Sequence, residues 1–331
     1  MRRTKEPSRL LAADEGRLMN ANPDELHPEA DALHRDLPQL AAIQTSRISA
    51  VSVGSQCDLG RRRTSNQDRC AHLESDAGYH LFVVADGMGG HRGGEVAAQI
   101  VTETCEDLLP TLAPDGRQHS CSHMLHEANR RMRRRGCTEL ALQGMGSTGT
   151  LLMLTPSGHA CVAHVGDSRA YLARNGELHP LTEDHSLVAS LVRAYQLDPV
   201  AAGEHPKRNE LLRSLGSHEE LQVDESAFAL ARGDRFVLCS DGLWTVVSDS
   251  EILAAVTAQP PEEASRALVA LANERGGPDN ITVLVIAPEL RAELMPGAKP
   301  PARQKRIGRR FWLLLCLAGI PLLISWILAS R

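Results

Sequence analysis

Five aspartates lie beside apolar or glycine-rich segments, a setting in which several carboxylates can share metal ions. Asp86 follows the apolar run 81–85 and opens the sequence Asp-Gly-Met-Gly-Gly. Asp241 follows the run 236–240 and precedes a glycine. The other three are Asp68, Asp167 and Asp279. A single Asp-Gly pair usually marks a hairpin turn, but five such positions in one region are poorly explained as five independent turns.

Buried carboxylates that converge need compensation, because they repel one another strongly. Divalent cations would provide it, and oxygen ligands favour Mg²⁺ or Mn²⁺. The carbonyl of Gly87 could add a ligand, since glycine permits a sharp turn. Two ions sharing one water would lower its pKa and supply hydroxide near neutral pH. If Arg63 binds an anionic substrate, these parts predict hydrolysis of a phosphate ester. Arg63 could equally be a solvated charge within the run 61–63.

Apolar periodicity predicts the elements that must position these residues. We expect strands over 48–53, 79–85, 150–154, 160–165, 170–173, 235–239 and 281–286. We expect helices over 95–109, 124–135, 251–258 and 261–273. Ser248 and Glu251 fit a capping box before the third helix. Strands joined by short turns favour antiparallel sheets with helices packed against them.

Composition excludes several classes of protein. The net charge of −5 argues against broad electrostatic capture of nucleic acid. Aromatic residues make up only 3% of the chain, which argues against platforms that stack bases. The eight cysteines contain no Cys-x-x-Cys pair, so they indicate a reduced, cytosolic protein rather than a disulfide scaffold.

The two ends of the chain differ from the globular part, which we place at 47–287. Residues 1–46 are interpreted as a polar N-terminal extension, and residues 288–310 as a proline-rich linker that ends in a basic cluster. Residues 311–330 contain no charge, and as a helix they would span about 30 Å, the thickness of a bilayer core. The basic cluster should remain cytoplasmic. The prediction is a single-pass, tail-anchored membrane protein with its globular part in the cytoplasm; the alternative for 311–330 is a buried core helix.

Short motifs run through the globular part in a fixed order. They are Arg63 with Asn66-Gln67-Asp68, VADGMGG at 84–90, GSTGT at 146–150, VGDSRA at 165–170, LTEDHS at 181–186, LG at 215–216, SDGLW at 240–244 and DNIT at 279–282. With these motifs, residues 47–287 resemble the metal-dependent serine/threonine protein phosphatases of type 2C, the PPM family, in their bacterial form. The resemblance implies an α+β fold in which two stacked antiparallel sheets are flanked by helices, an α-β-β-α sandwich. The helix predicted at 311–330 would be added to it.

The resemblance also implies the ligands of two divalent cations, Mn²⁺ or Mg²⁺. Asp86 would bridge both ions, and Gly87 would contribute its carbonyl oxygen. Asp241 and Asp279 would complete the site of one ion. Asp68 would hold the other ion through water.

Three further roles follow from the resemblance. Arg63 would bind the substrate phosphate, and it forms the catalytic set together with Asp68 and Asp86. Asp167 and Asn280 would hold the metal ligands in position without binding the ions directly.

The sequence departs from the family's pattern at several positions. Gln67 stands where many relatives have glutamate, and Met88 stands where animal relatives carry a histidine acid, so a proton for the leaving group must come from elsewhere. Ala141 occupies the place of a carboxylate for a third metal, with Glu139 nearby, which argues against a third ion. Residues 186–212 match the mobile flap of the family.

The predicted activity is hydrolysis of phosphoserine and phosphothreonine in proteins by a hydroxide that two metal ions activate. The expected partners are phosphorylated proteins, a cognate membrane Ser/Thr kinase, and the lipid bilayer through residues 311–330. Nucleic acid is not expected as a partner, and the catalytic domain is expected to be monomeric.

Two alternatives need discrimination. Cys57 and Arg63 have the Cys-x5-Arg spacing of cysteine phosphatases, but Asp58 would repel a phosphate held there. Gln67 alone supports the second alternative, a catalytically weak or inactive module that binds phosphoproteins. Dependence on metal and turnover of a phosphate ester would distinguish these alternatives from the main prediction.

Overall fold

Two antiparallel sheets stack face to face, and helices cover the outer face of each. The computed structural model describes residues 46–111 and 121–292. Its strands are β1 (Ser46–Asp58), β2 (Asp68–Glu74), β3 (His80–Met88), β4 (Gly146–Ser147), β5 (Gly149–Leu154), β6 (His159–Val165), β7 (Arg169–Arg174), β8 (Glu177–Pro180), β9 (Asp224–Ala229), β10 (Arg235–Cys239) and β11 (Ile281–Ala292). Its α-helices are α1 (Gly90–Leu108), α2 (Cys121–Thr138), α3 (Leu187–Arg193), α4 (Pro199–Ala202), α5 (Asp241–Trp244), α6 (Asp249–Ala258) and α7 (Pro261–Glu274). Short 3₁₀ turns cover Leu109–Thr111 and Leu140–Leu142.

The first two strands of the chain, β1 and β2, belong to different sheets. The first sheet has the order β1-β11-β10-β7-β8, and the second has β2-β3-β5-β6-β9, with β4 beside β3. Strands β1 and β11 pair from Ser46 opposite Ala292 to Asp58 opposite Ile281. Because β1 and β2 are both edge strands, the loop 59–67 connects the edges of the two sheets.

Alternation along the strands divides the apolar side chains among three cores. In β3, Phe82 and Val84 lie between the two sheets, whereas Leu81 and Val83 lie on the opposite face, in the core that α1 and α2 cover. The third core lies between the first sheet and the helices α6 and α7, and Leu268 of α7 is buried in it. The sheets are thus packed on both faces, which fixes the strand ends relative to one another.

The predicted two-sheet sandwich with flanking helices is confirmed. All seven expected strands and all four expected helices are present, and Ser248 and Glu251 form the predicted capping box. The strands β1 and β11 extend five and six residues beyond their predicted C-terminal ends, and α1 begins five residues earlier than predicted. The sequence pattern did not predict β2, β4, β8 or β9.

Among the residues that the structure describes, no helix is both long enough and apolar enough to cross a membrane. The predicted span 311–330 lies outside the described residues. The same is true of residues 1–45 of the predicted extension and of the linker beyond Ala292.

Candidate active site

The five aspartates come from both sheets and meet at one end of the sandwich. Asp68, the first residue of β2, pairs directly with Asp86 near the end of β3. Asp241 is the first residue of α5, just after β10, and Asp279 lies two residues before β11. Asp167 lies in the turn between β6 and β7. The charges of the other four all raise the pKa of Asp86, so the five carboxylates form one group, which we call the acidic pocket.

Asp86 is held by its backbone. Its N–H donates to Thr148 Oγ1 at 2.9 Å, and its carbonyl accepts the N–H of Thr148 at 2.8 Å and the hydroxyl of Ser147 at 3.0 Å. The Thr148 and Ser168 hydroxyls are 2.7 Å apart, which ties this segment to the turn that carries Asp167. The motif at 146–150 therefore fixes the predicted bridging ligand, a role that the sequence analysis did not assign.

Position 87 has no room for any side chain, so only glycine fits there. A Cβ atom there would come within 1.9 Å of the Gly94 carbonyl oxygen and 2.8 Å of the Gln67 carbonyl oxygen. The N–H of Gly87 donates to that same Gln67 carbonyl at 3.1 Å. The backbone after Asp86 thus passes closely between two other segments, as expected where a carbonyl serves as a ligand.

Electrostatic strain is concentrated in the carboxylates of the pocket. Burial, together with the charges of neighbouring aspartates, raises the pKa of Asp241 and of Asp167 to about 7. Burial also raises the pKa of Asp68 to about 7, although Ser240 donates a hydrogen bond to its Oδ2 at 2.7 Å. For Asp86 the same causes place the pKa well above its ordinary value of 3.8. Keeping these carboxylates ionised in the fold therefore costs free energy, which bound cations would offset.

Arg63 lies beside the acidic pocket. Its Nη2 donates to Asp279 Oδ2 at 2.5 Å, and its side chain is half-exposed. The hydrogen bond to Asp279 raises the pKa of Arg63, and the charges of Asp241 and Asp86 act in the same direction. The structure thus brings Arg63 together with the predicted metal ligands and leaves part of its guanidinium accessible to solvent.

The donor set fits hard divalent cations in its chemistry. Asp241 Oδ1 is buried without a hydrogen-bond partner, and the surrounding ligand atoms are all oxygen. Within 46–111 and 121–292, no three His, Cys, Asp or Glu side chains are close enough to hold one ion in the positions described. The carboxylates are nevertheless close enough to repel one another, and cations would remove that repulsion.

Comparison with known proteins identifies the family. The family model described as protein phosphatase 2C matches residues 60–271. The chain belongs to the protein phosphatase 2C family. It is a metal-dependent phosphoprotein phosphatase that acts on serine and threonine residues, as the sequence analysis predicted.

This phosphatase is similar to several bacterial serine/threonine phosphatases. It is 39% identical over 234 residues to protein phosphatase PhpP of Streptococcus pneumoniae serotype 2, which covers 70% of this chain and 94% of that protein. The S. agalactiae serine/threonine phosphatase superposes with a TM-score of 0.67 at 35% identity, covering 72% of this chain and 99% of the other. The catalytic domain of PstP in complex with two manganese ions superposes with a TM-score of 0.62 at 33% identity, covering 72% and 98%.

Asn280 of the phosphatase supports the loop that carries Arg63. Its Oδ1 accepts the N–H of Gln67 at 2.9 Å, and its Nδ2 donates to the carbonyls of Leu59 and Ser65 at 2.9 and 3.0 Å. Because one side chain contacts both ends of this loop, it fixes the path of the backbone from Leu59 to Gln67. This agrees with the supporting role that the resemblance implied.

Asp167 is supported by residues to which the sequence analysis gave no role. The indole N–H of Trp244 donates to the Asp167 carbonyl at 2.9 Å. The guanidinium of Arg169 lies 3.6 Å from the centre of the Trp244 ring and donates two hydrogen bonds to the Asp184 carboxylate, at 2.9 and 2.7 Å. All of these residues belong to the sequence motifs, but only the fold reveals which backbone atoms they hold.

Ion pairs occur both at the predicted flap and near the position predicted to lack a third-metal ligand. Residues 186–212 contain α3 and α4, and Arg193 pairs with Glu183 at 2.5 Å. Tyr195, in the same segment, is 93% exposed. Glu139, next to the position predicted to lack a third-metal ligand, pairs with Arg135 at 2.8 Å.

The cysteine phosphatase alternative is wrong. A hydrogen bond with Cys70 lowers the pKa of Cys57 to about 6, which a nucleophilic thiol would need. However, β1 extends through Cys57 to Asp58, whose Oδ1 accepts the N–H of Gly60 at 2.8 Å. Arg63 donates to Asp279 instead of facing the thiol across a phosphate. The family match excludes the alternative independently.

Proposed function

We propose that the acidic pocket is a two-metal centre and that the phosphatase works at the cytoplasmic face of a membrane. The observation that carries the first part is the group of carboxylates whose pKa values rise through burial and mutual repulsion. The ligands would be Asp86, the Gly87 carbonyl, Asp241 and Asp279, with Asp68 acting through water. When bound, two Mn²⁺ or Mg²⁺ ions would lower the pKa of a shared water and neutralise charge on the phosphate.

The protein's own residues position the substrate. Arg63 offers a planar guanidinium, which suits two parallel hydrogen bonds to phosphate oxygens. Its ion pair with Asp279 holds the guanidinium beside the acidic pocket. Thr148 and Ser147 form hydrogen bonds with the backbone of Asp86, so its carboxylate needs little reorganisation during the reaction. Met88 has no proton to give, so the leaving serine or threonine oxygen takes its proton from water or another group.

The two-metal proposal is tested by calorimetric titration of the metal-free full chain with Mn²⁺. We expect two ions per chain and hydrolysis of a phosphothreonine peptide that EDTA abolishes. Asp86→Asn should weaken both binding events, because this carboxylate would bridge the ions. Asp76→Asn is the matched control, since Asp76 is an exposed aspartate in the turn between β2 and β3. A single ion per chain, or binding that Asp86→Asn leaves unchanged, would contradict the proposal.

Turnover separates this function from the phosphoprotein-binding module. The charges of Asp241 and Asp279 act on Asp86, and a module that only binds has no need of carboxylates that repel one another. We expect multiple turnovers of para-nitrophenyl phosphate by the Mn²⁺-loaded protein. Tight binding of a phosphopeptide without turnover would favour the module.

The membrane proposal rests on the uncharged run 311–330 and the basic cluster before it. Anchoring would raise the effective concentration of the enzyme near membrane-bound phosphoproteins, including those made by a membrane Ser/Thr kinase. Deletion of 311–331 should move active enzyme from the membrane fraction to the soluble fraction. Recovery of the full chain in the soluble fraction would contradict this part alone.

A further inference from the structure

Two thiols meet where the edges of the two sheets come together, beside the acidic pocket. Cys57 lies near the end of β1, and Cys70 lies on β2. These are the edge strands of the two sheets. Cys57 Sγ lies 3.8 Å from the carbonyl oxygen of Asp68 on β2, and Cys70 Sγ lies 3.4 Å from Ser55 Oγ on β1. Each thiol thus contacts the other's strand two residues before the other cysteine, which places the two side chains at facing positions on the strands, as a disulfide requires.

The two thiols differ in how easily a dissolved reagent reaches them. Cys57 is exposed, whereas Cys70 is half-buried. An oxidant from solution therefore meets Cys57 first, and Cys70 is in place as the second thiol. Cys137 is also exposed, on α2 far along the chain, and it serves as a control.

Hydrogen bonds connect the Cys57 sulfur to Asp68 by two short routes. Asn66 Nδ2 donates to Cys57 Sγ at 3.3 Å, and Asn66 Oδ1 accepts the N–H of Asp68 at 3.0 Å. Thr282 Oγ1 also donates to Cys57 Sγ, at 3.2 Å. The N–H of Thr282 donates to Ser240 Oγ, and Ser240 donates to Asp68 Oδ2 at 2.7 Å. A chemical change at Cys57 thus acts on residues that hold Asp68.

We propose that Cys57 and Cys70 form a peroxide-sensitive pair whose oxidation to a disulfide lowers phosphatase activity. The Cys57 sulfur attacks one peroxide oxygen and the O–O bond breaks, which leaves a sulfenic acid and releases water. The Cys70 sulfur then attacks the Cys57 sulfur, the S–O bond breaks, and a second water leaves with the Cys70 proton. Two thiols give two electrons and two protons to one hydrogen peroxide, which becomes two waters.

The disulfide would alter the site through the loop 59–67. This loop carries Arg63 and Asn66, and the new bond joins the strands on either side of it. Once bonded, the Cys57 sulfur is drawn towards Cys70 and away from its two donors. In a reducing cytosol such a bond is transient, and thiol reductants reverse it. The effect on activity rests on the proposed function, whereas formation of the disulfide does not.

The test uses the full chain, reduced and loaded with Mg²⁺, which does not react with peroxide. Treatment with hydrogen peroxide should produce a disulfide peptide joining Cys57 and Cys70, detected by mass spectrometry without reduction. Hydrolysis of para-nitrophenyl phosphate should fall at least about tenfold and return with dithiothreitol. Cys70→Ser should give no disulfide and leave a Cys57 sulfenic acid that dimedone labels, and Cys137→Ser should behave as the wild type.

Two results would overturn the inference. One is oxidised wild-type protein without a peptide that joins Cys57 and Cys70. The other is equal, dithiothreitol-reversible loss of activity in the wild type and in Cys70→Ser. Reduced wild-type protein without phosphatase activity would instead refute the proposed function, and peptide mapping would still decide whether the thiols pair.

Discussion

Strand β10 has an aspartate at each end, and the protein treats the two carboxylates in opposite ways. Asp234, just before the strand, accepts hydrogen bonds from Arg174 at 2.7 and 2.6 Å and from the N–H of Ala231 at 2.7 Å. Asp241, just after the strand, has a buried Oδ1 without a partner and a pKa that burial and Asp279 raise to about 7. One strand thus separates a satisfied carboxylate from an unsatisfied one.

The difference shows which end of the sandwich is built for stability and which for chemistry. A buried carboxylate whose two oxygens are both hydrogen-bonded holds elements together, and here it links β7, β10 and the turn before β10. A carboxylate that is left unsatisfied beside others of like charge lowers stability, and such groups are typical of functional sites. The contrast predicts that the two aspartates respond in opposite ways to the same substitution.

Asp241→Asn should have the largest effect on activity. The substitution removes a predicted metal ligand, so we expect kcat to fall on the order of 10³-fold, or about 4 kcal/mol of transition-state stabilisation. The metal-free variant should be at least as stable as the wild type, because a repelling charge has gone. Steady-state kinetics with Mn²⁺ and denaturant unfolding in EDTA measure the two effects.

The control for this comparison is Asp76→Asn, which changes an exposed aspartate and should alter neither quantity. A metal-free Asp241→Asn protein that unfolds at much lower denaturant than the wild type would show that Asp241 is structural, like Asp234. The distinction between the two ends of β10 would then fail.

Asp234→Asn should have the largest effect on stability. Asp234 is fully buried and the Arg174 side chain is only 8% exposed, so the variant leaves a buried guanidinium without its charge partner. We expect a loss of about 3–5 kcal/mol in the free energy of unfolding. The kcat of the folded fraction should stay near the wild-type value, because the pair is at the other end of the strand. Denaturant unfolding by circular dichroism, with an activity assay normalised to folded protein, checks both expectations.

The pH dependence of stability sharpens the comparison further. Asp68, Asp167 and Asp241 have pKa values of about 7 in the folded protein, against an ordinary value of 3.8, mainly because they are buried. Between about pH 4 and pH 7 the folded metal-free protein keeps protons that the unfolded chain has released, so its stability falls as pH rises. We expect the denaturation midpoint in EDTA to be lower at about pH 8 than at about pH 5.

Mn²⁺ should raise that midpoint more at the higher pH, because it binds the ionised carboxylates. Asp241→Asn should flatten the dependence, while Asp76→Asn should leave it unchanged. A metal-free wild type whose stability increases over this range would mean that the carboxylates do not repel one another in the folded protein.

Local patterns were enough to predict part of this molecule. Strand β3 and helix α7 follow from apolar periodicity, and the capping box at Ser248 follows from four consecutive residues. Strands β2 and β9 were missed because they are edge strands with mixed polar sequences, DRCAHLE and DESAFA. Such strands depend on their neighbours β3 and β6, which a short window of sequence does not reveal.

The same limit applies to the site. The aspartates could be predicted because each follows or precedes a strand, and acidic side chains there need a reason. Thr148 and Trp244 could not be given roles, because they act on the backbone of Asp86 and Asp167, 62 and 77 residues away in the chain. Contacts of that kind depend on how the two sheets are stacked.

Trp244→Phe should have the smallest effect. It tests whether the hydrogen bond from Trp244 to the backbone of Asp167 matters to the acidic pocket. The phenyl ring keeps most of the packing but cannot donate to the Asp167 carbonyl. We expect a loss of about 1 kcal/mol in stability and a decrease of roughly tenfold at most in Mn²⁺ affinity, because Asp167 becomes less well positioned.

Tyr171→Phe is the matched control, since the Tyr171 hydroxyl accepts a hydrogen bond from Arg169 at 3.1 Å and lies outside the contact between Trp244 and Asp167. It should cost similar stability and leave Mn²⁺ affinity unchanged. Equal losses of Mn²⁺ affinity in both variants would mean that the packing around Arg169, and not the hydrogen bond to Asp167, supports the site.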